Sequence, residues 1–278
     1  MTRNAMRSQL TLFFQAAVAR TYPRVAWMFR NRTWLLQETL LPMLSVASFA
    51  YVYEAMNAPK AYVGYVILGA AMTTFWMNVL WSMGAHLYWE RDSGNLELYI
   101  MSPSPMMGIL AGMAMGGMTT TVVRALAIVF TGMVVFDVPF HPSSWWLLGL
   151  VFSLTMVALY GLGMMFASVF LLFGREAWHT VNLLQEPVYL MTGMNFPIKA
   201  LGTMTHMAIP AVAMLIPLTA GMDGMRQVLF NSPGFVDVWT EIALLAVLSV
   251  VFLFFASRTL AVLERKARND GKLTVKWQ

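Results

Sequence analysis

The run WWLLGLVFSLTMVALYGLGMMFASVFLLF, Trp145 to Phe173, contains no charged residue. A helix needs only about 20 apolar residues to cross a bilayer. The run is continuous rather than alternating, so it does not read as a strand with one wet face. In lipid, backbone N–H and C=O groups are satisfied only in helices or closed barrels. Runs of this kind recur along the chain. Hydrophobic residues make up 59% and charged residues 11%, with a mean hydropathy of +0.64. A soluble domain carries about 25% charged residues. So little charge cannot coat a soluble surface for 278 residues. The chain reads as an all-α integral membrane protein.

Six runs qualify as spans: Trp34–Met56, Tyr62–Ala85, Met106–Phe136, Trp145–Phe173, Trp178–Phe196 and Thr240–Leu263. The fifth carries Glu186 and Pro187. Trp34, Trp145, Trp146, Trp178 and Trp239 stand near span ends, as interfacial anchors do. The formal net charge is +5, but the cations lie at the ends of spans. That is a topology signal, not a nucleic-acid footprint. With the N-terminus inside, the inner segments hold Arg3, Arg7, Arg20, Arg24, Arg30, Arg32, Arg91, Arg175, Arg265, Lys266, Arg268, Lys272 and Lys276. The outer segments hold Lys60, Lys199 and Arg226. Both termini are therefore expected in the cytoplasm.

The segment 1–32 opens with Arg3 and Arg7 before LTLFFQAAVA, as a short signal peptide would. Leu10, Phe13, Phe14 and Ala17 nevertheless follow helical spacing, and Arg20 and Arg24 are four apart. A basic amphipathic helix on the membrane surface is the expectation, with Pro23 opening a second short helix. Between the fifth and sixth spans, MAIPAVAMLIPL is too short and proline-broken to cross. A crossing there would also put the basic tail, 264–278, outside. The region 197–230 is thus expected to be a re-entrant or interfacial helical hairpin on the outer side, within a transmembrane domain over 33–263.

YWERDSGNLELYIMSPSP, Tyr88 to Pro105, falls between the second and third spans. Leu96, Tyr99 and Ile100 share one helical face, and Glu90 and Glu97, seven apart, share another. Gly94 permits a bend, and Ser102-Pro103-Ser104-Pro105 ends the helix. The spacing predicts a short amphipathic helix over 87–103 that presents carboxylates to the cytoplasm for a docking partner.

ERDSGNLELYIMSP resembles a motif of ABC-2-type transporter permeases, where a Glu, a Gly, a Leu-Glu pair and a Pro recur after the second span. The matching residues are Glu90, Gly94, Leu96, Glu97 and Pro103, with Asp92 between them. NFPIKALGTMTHMAIPAVAMLIPLTAGMDGMRQVLF is similar to the outer segment of that family, through Phe196-Pro197, Pro217-Leu218-Thr219 and Arg226. The resemblance covers essentially the whole chain. It implies the permease subunit of an ATP-driven exporter in a bacterial plasma (inner) membrane. It implies a coupling helix at 87–103 seated in a separate ATP-binding subunit, present in two copies, and an outer gate near Phe196, Pro197, Pro217 and Arg226. A second permease copy would complete the pathway. In the resembled family the second and fifth spans line it; here these offer Phe75, Trp76, Asn78, Trp81, Asn182, Glu186, Tyr189 and Met194. No cofactor is expected in this chain, with ATP and magnesium held by the partner. In agreement, the sequence contains no G-x-x-x-x-G-K-[ST] phosphate loop. Drug, lipid and polysaccharide cargoes remain open.

Arg124 lies mid-span, where a cation costs about 2.5 kcal/mol or more. Glu186 lies at similar depth, so a pair between them, within one chain or across a dimer, is expected. Glu38, near the inner end of the first span, can reach the interface. The chain has 25 methionines, and GMAMGGM, Gly112 to Met118, could suggest soft-metal binding. Met occurs throughout the chain, however, and glycines of this kind serve close helix approach. The histidines show no ligand spacing, and cysteine is absent. The alternatives are a membrane-embedded lipid-modifying enzyme, for which no H-E-x-x-H or nucleophile elbow is found, and a passive channel or scaffold.

Overall fold

The computed structural model describes residues 3–84, 86–138, 140–173, 177–200 and 208–270. Among these no strand occurs. The helices are α1 (Arg3–Arg30), α2 (Arg32–Ala55), α3 (Lys60–Met77), α4 (His86–Asp92), α5 (Asn95–Met101), α6 (Met106–Phe136), α7 (Trp145–Phe173), α8 (Ala177–Met191), α9 (Ala208–Ala213), α10 (Pro217–Phe230) and α11 (Val238–Asp270). A π-helical segment, Asn78–Gly84, links α3 to α4.

Four helical stretches are long and apolar enough to cross a membrane: Lys60–Arg91, Met106–Phe136, Trp145–Val169 and Val238–Leu263. They coincide with the second, third, fourth and sixth expected spans. The other two expected spans do not reach that standard, each for its own reason. α2 has 24 residues but includes Arg32, Glu38 and Glu54. α8 has 15 described residues, about 22 Å of helix against a hydrocarbon core of about 30 Å, and 174–176 before it lie outside the described residues. The expected hairpin contains α9 and α10, while its residues 201–207, with His206, lie outside the described residues, as do 271–278 of the basic tail.

Tight helix contacts organise the bundle. α7 and α11 run side by side, with Gly161 against Phe252 and Leu253, and Ser249 donating to the Leu154 carbonyl at 3.3 Å. α10 packs against α7 through Gly221, where a Cβ would stand 2.8 Å from that of Thr155. Phe75 meets Phe152, and Trp76 meets Phe166, in edge-on ring pairs that join α3 to α7.

α1 departs from expectation. It is one helix that runs through Pro23, not two. The chain breaks at Asn31 instead, at φ −109° and ψ 73°. The cause is tertiary: α1 lies along the first half of α6, which holds both sides of Pro23 in line. Gly108, Gly112 and Gly116, four apart on α6, face Phe13, Ala17 and Thr21 to Arg24. The expected apolar stripe is split accordingly. Ala17 is buried in this contact, whereas Leu10 and Phe14 continue into an exposed row with Val18 and Tyr22. Side chains four apart share a helix face, and an exposed apolar row of this kind suits a lipid boundary.

Gly112→Val should lower stability by about 1–3 kcal/mol through overpacking, because a Cβ at Gly112 would stand 2.8 Å from Ala17 Cα. Gly149→Ala is the control, since nothing lies within 4 Å of a Cβ there. Thermal unfolding in detergent checks both; equal midpoints would mean that the α1–α6 contact contributes nothing.

Candidate functional site

Three cavities follow one another along the seam between α1, α2, α3 and α6. The first, about 290 Å³, is bounded by Arg20, Pro23, Arg24, His86 and Met113. The second, about 330 Å³, shares Arg24 with it and adds Trp27, Trp34, Asn78, Trp81, Ser82 and Thr120. The third, about 410 Å³, shares Glu38, Met77 and Arg124 with the second and is otherwise lined by groups such as Leu41, Val46, Val66, Ala70 and Tyr189. Met194 and Asn195 also border the third cavity. The series thus runs from a cationic end to an apolar end.

Helical phase explains which expected pathway residues line it. Val66, Ala70, Thr73, Met77 and Trp81 recur every three or four residues on one face. Asn78, Trp81, Tyr189 and Met194 therefore border the cavities as expected. Phe75 and Trp76 do not. Phe75 is two residues from Met77, about 200° around the helix, and both rings are buried against α7. Asn182 is exposed and borders none of the three cavities. Asn78 is fixed by the Tyr160 hydroxyl, which donates to its Oδ1 at 3.2 Å, and it presses on Gly117.

The expected Arg124–Glu186 pair is not formed within the chain. Arg124 is ion-paired with Glu38, bonded to Thr121 Oγ1 at 3.1 Å and stacked over Trp34 at 5.1 Å. Glu186 is exposed beside Gln185. Depth along the spans, the only guide in the sequence, cannot say which face of a helix meets which neighbour. α2 continues up α6 where α1 stops, and that brings Glu38 to Arg124.

The segment after α3 behaves as two short helices, α4 and α5, hinged at Ser93–Gly94. Gly94 has φ +80°, the left-handed region that glycine tolerates without strain. α5 stops at Met101, before Pro103, as its proline-serine end predicts. Glu90 is not offered to a partner. It is 7% exposed, ion-paired with Arg20, 2.9 Å from His86 Nε2 and bonded to Asn95 Nδ2 at 2.9 Å. Its carboxylate therefore ties α4 and α5 to α1. Tyr99 lies under the Arg20 guanidinium at 5.2 Å, and burial pushes its phenol up to about 12. Leu96 is buried. The side chains of Asp92 and Glu97 lie outside the described residues. Among its described side chains the pair exposes Trp89 at 41%, Leu98 at 60% and Met101 at 75%, beside Ser93 and Asn95.

At the apolar end of the seam, Arg226 on α10 is 2% exposed. Its guanidinium donates to the carbonyls of Gly193 at 2.8 Å, Met194 at 3.0 Å, Phe196 at 3.1 Å and Tyr65 at 3.4 Å. It also lies 5.1 Å over the Tyr65 ring. The turn 193–196 is further held by Tyr53, which donates to the Asn195 carbonyl at 2.8 Å, and by Gly69, whose Cβ would stand 2.7 Å from the Met194 carbonyl carbon. Of the expected outer-gate residues, Phe196 and Arg226 meet directly, Pro197 follows Phe196 in the chain, and Pro217 begins α10.

Arg20, Arg24 and Glu38 join the site although none was singled out as a site residue in the sequence. The four-residue spacing of Arg20 and Arg24 was the available signal. No family model matches the chain, and no curated protein matches it.

A double-mutant cycle over Arg20→Gln and Glu90→Gln should return a coupling of about 1 kcal/mol; additive losses in unfolding experiments would mean that the ion pair does not tie α4 to α1. Arg226→Met should cost about 2–4 kcal/mol, since buried carbonyls would be stripped of their donor. Arg226→Lys, with fewer donors in the wrong shape, should recover only part, and full recovery would show that charge alone matters.

Proposed function

We propose that this chain is the permease subunit of an ATP-driven exporter of the ABC-2 type. It works as a dimer with two ATP-binding subunits, and ATP is hydrolysed in those partners. In this proposal α2 and α8 complete a six-span layout, both termini face the cytoplasm, and the membrane is a bacterial inner membrane. α2 can cross despite Glu38, because Arg124 neutralises that carboxylate within the bundle. α9 and α10 form the outer hairpin, and the Arg226-bound turn at 193–196 forms the closed outer gate.

The observation that carries the proposal is the hinged pair α4–α5. It joins two stretches long and apolar enough to cross a membrane, α4 ending the first of them, and is held to the bundle by Glu90 and Leu96. It also exposes Trp89, Leu98 and Met101. A lever needs both properties: a rigid tie to the bundle and a free face for the partner. Apolar side chains clustered in a docked, desolvated patch contribute most to such contacts. In this proposal Trp89, Leu98 and Met101 supply an apolar part of the docking surface, while Glu90 turns inward to Arg20. Closure of the ATP-binding partners would push α4–α5, tilt α1 through Arg20 and widen the seam.

The tagged chain, extracted from native membranes in mild detergent, should co-purify with an ATPase. Leu98→Asp should remove that association or its stimulated activity, Gly94→Pro should uncouple it, and Lys60→Ala at the opposite end of α3 should change neither. Absence of any ATPase beside the wild-type chain sinks the proposal.

A further inference from the structure

We propose that the cavity between Arg24 and Arg124 binds the phosphate-bearing head of an anionic amphiphile, with the apolar tail in the adjoining chamber. The proposal needs no exporter: binding at equilibrium requires neither nucleotide nor a second subunit.

Charge is the first argument. Two guanidinium groups line this cavity, and Glu38 is its single carboxylate among the described residues. Arg24 has no carboxylate partner among the described residues; its closest polar contact is the Ser82 carbonyl at 3.5 Å. Arg124 is 8% exposed and spends part of its donor set on Glu38 and Thr121, yet its Nε is buried without a partner. A cavity with unspent guanidinium donors and an excess positive charge selects an anion. The low local dielectric strengthens that preference. Phosphate suits it best, because its several oxygens can accept from two planar forks at once.

Shape is the second argument. The cavity holds about 330 Å³, room for a head group and some water. Trp27, Trp34 and Trp81 wall it with flat apolar faces. It adjoins the chamber of about 410 Å³ lined by Leu41, Val46 and Val66, with which it shares Glu38, Met77 and Arg124. A free anion would make no use of that chamber; an acyl or prenyl tail would.

Glu38 then acquires a definite part. It neutralises Arg124 when the cavity is empty and competes with the phosphate when it is full. Removing Glu38 should strengthen binding, and removing Arg24 should weaken it. A merely structural role would not give changes of opposite sign.

The test uses the purified full chain in phosphatidylcholine nanodiscs, titrated with short-chain phosphatidic acid and followed by tryptophan fluorescence and native mass spectrometry. Saturable binding is expected, weakened roughly tenfold by Arg24→Gln, weakened less by Arg24→Lys, which keeps the charge but not the planar fork, and strengthened several-fold by Glu38→Gln. Unfolding midpoints of each variant identify any that fails to fold; Arg24→Lys and Glu38→Gln then carry the comparison. Two results would overturn the proposal: unchanged binding in Arg24→Gln, or equal binding of added short-chain phosphatidylcholine. Displacement by inorganic phosphate without dependence on tail length would overturn the amphiphile and leave a site for free phosphate.

Discussion

α6 approaches α1 so closely at Gly112 that no side chain fits there, and Gly108 is nearly as tight. A Cβ at Gly108 would stand 3.0 Å from the Phe13 carbonyl oxygen, and one at Gly112 would stand 2.9 Å from Arg20 Cβ. Small residues at this spacing let two helices approach backbone to backbone, which matters most where water offers no hydrophobic drive between helices. The rest of the seam follows from that approach. It keeps α1 straight through Pro23, carries Arg20 to Glu90 and Arg24 to the cavity, and ends where Asn31 turns the chain. α2 then takes over the upper half of α6 and delivers Glu38 to Arg124.

Both ends of the seam are closed by polar contacts that a bilayer makes expensive to break. At one end Glu90 joins three elements through Arg20, His86 and Asn95. At the other, Arg226 fills the carbonyl acceptors of a turn that no regular helix satisfies. An irregular turn at such depth is tolerable only when its backbone groups find partners in the protein. Between the two, Arg124 is shared by Glu38, Thr121 and Trp34, with one donor to spare. The seam is therefore tied at both ends by buried polar contacts and keeps an unpartnered donor in its middle.

The methionines fit the same picture. Met77, Met113 and Met194 border the cavities, and Tyr189 and Thr73 direct hydroxyls at the sulfurs of Met77 and Met194, at 3.0 and 2.9 Å. Thioether side chains are flexible and adapt to irregular gaps. They give the cavities a compliant wall.

The sequence by itself determined the class of fold: long uncharged runs leave helices as the way to satisfy the backbone in lipid, and four of the six expected spans are helices of the required length and apolarity. It also determined the local breaks at Gly94 and Pro103, because backbone permission is a property of single residues. The partners were decided only in three dimensions. Arg124 takes Glu38 rather than Glu186, Glu90 turns inward, Phe75 and Trp76 serve the core, and Pro23 does not break α1. Each of these depends on which helix face meets which neighbour. Periodicity gives the angle of a side chain around its own axis, whereas the rotation of one helix against another is set by contacts, here the glycine row of α6, that join residues about a hundred positions apart.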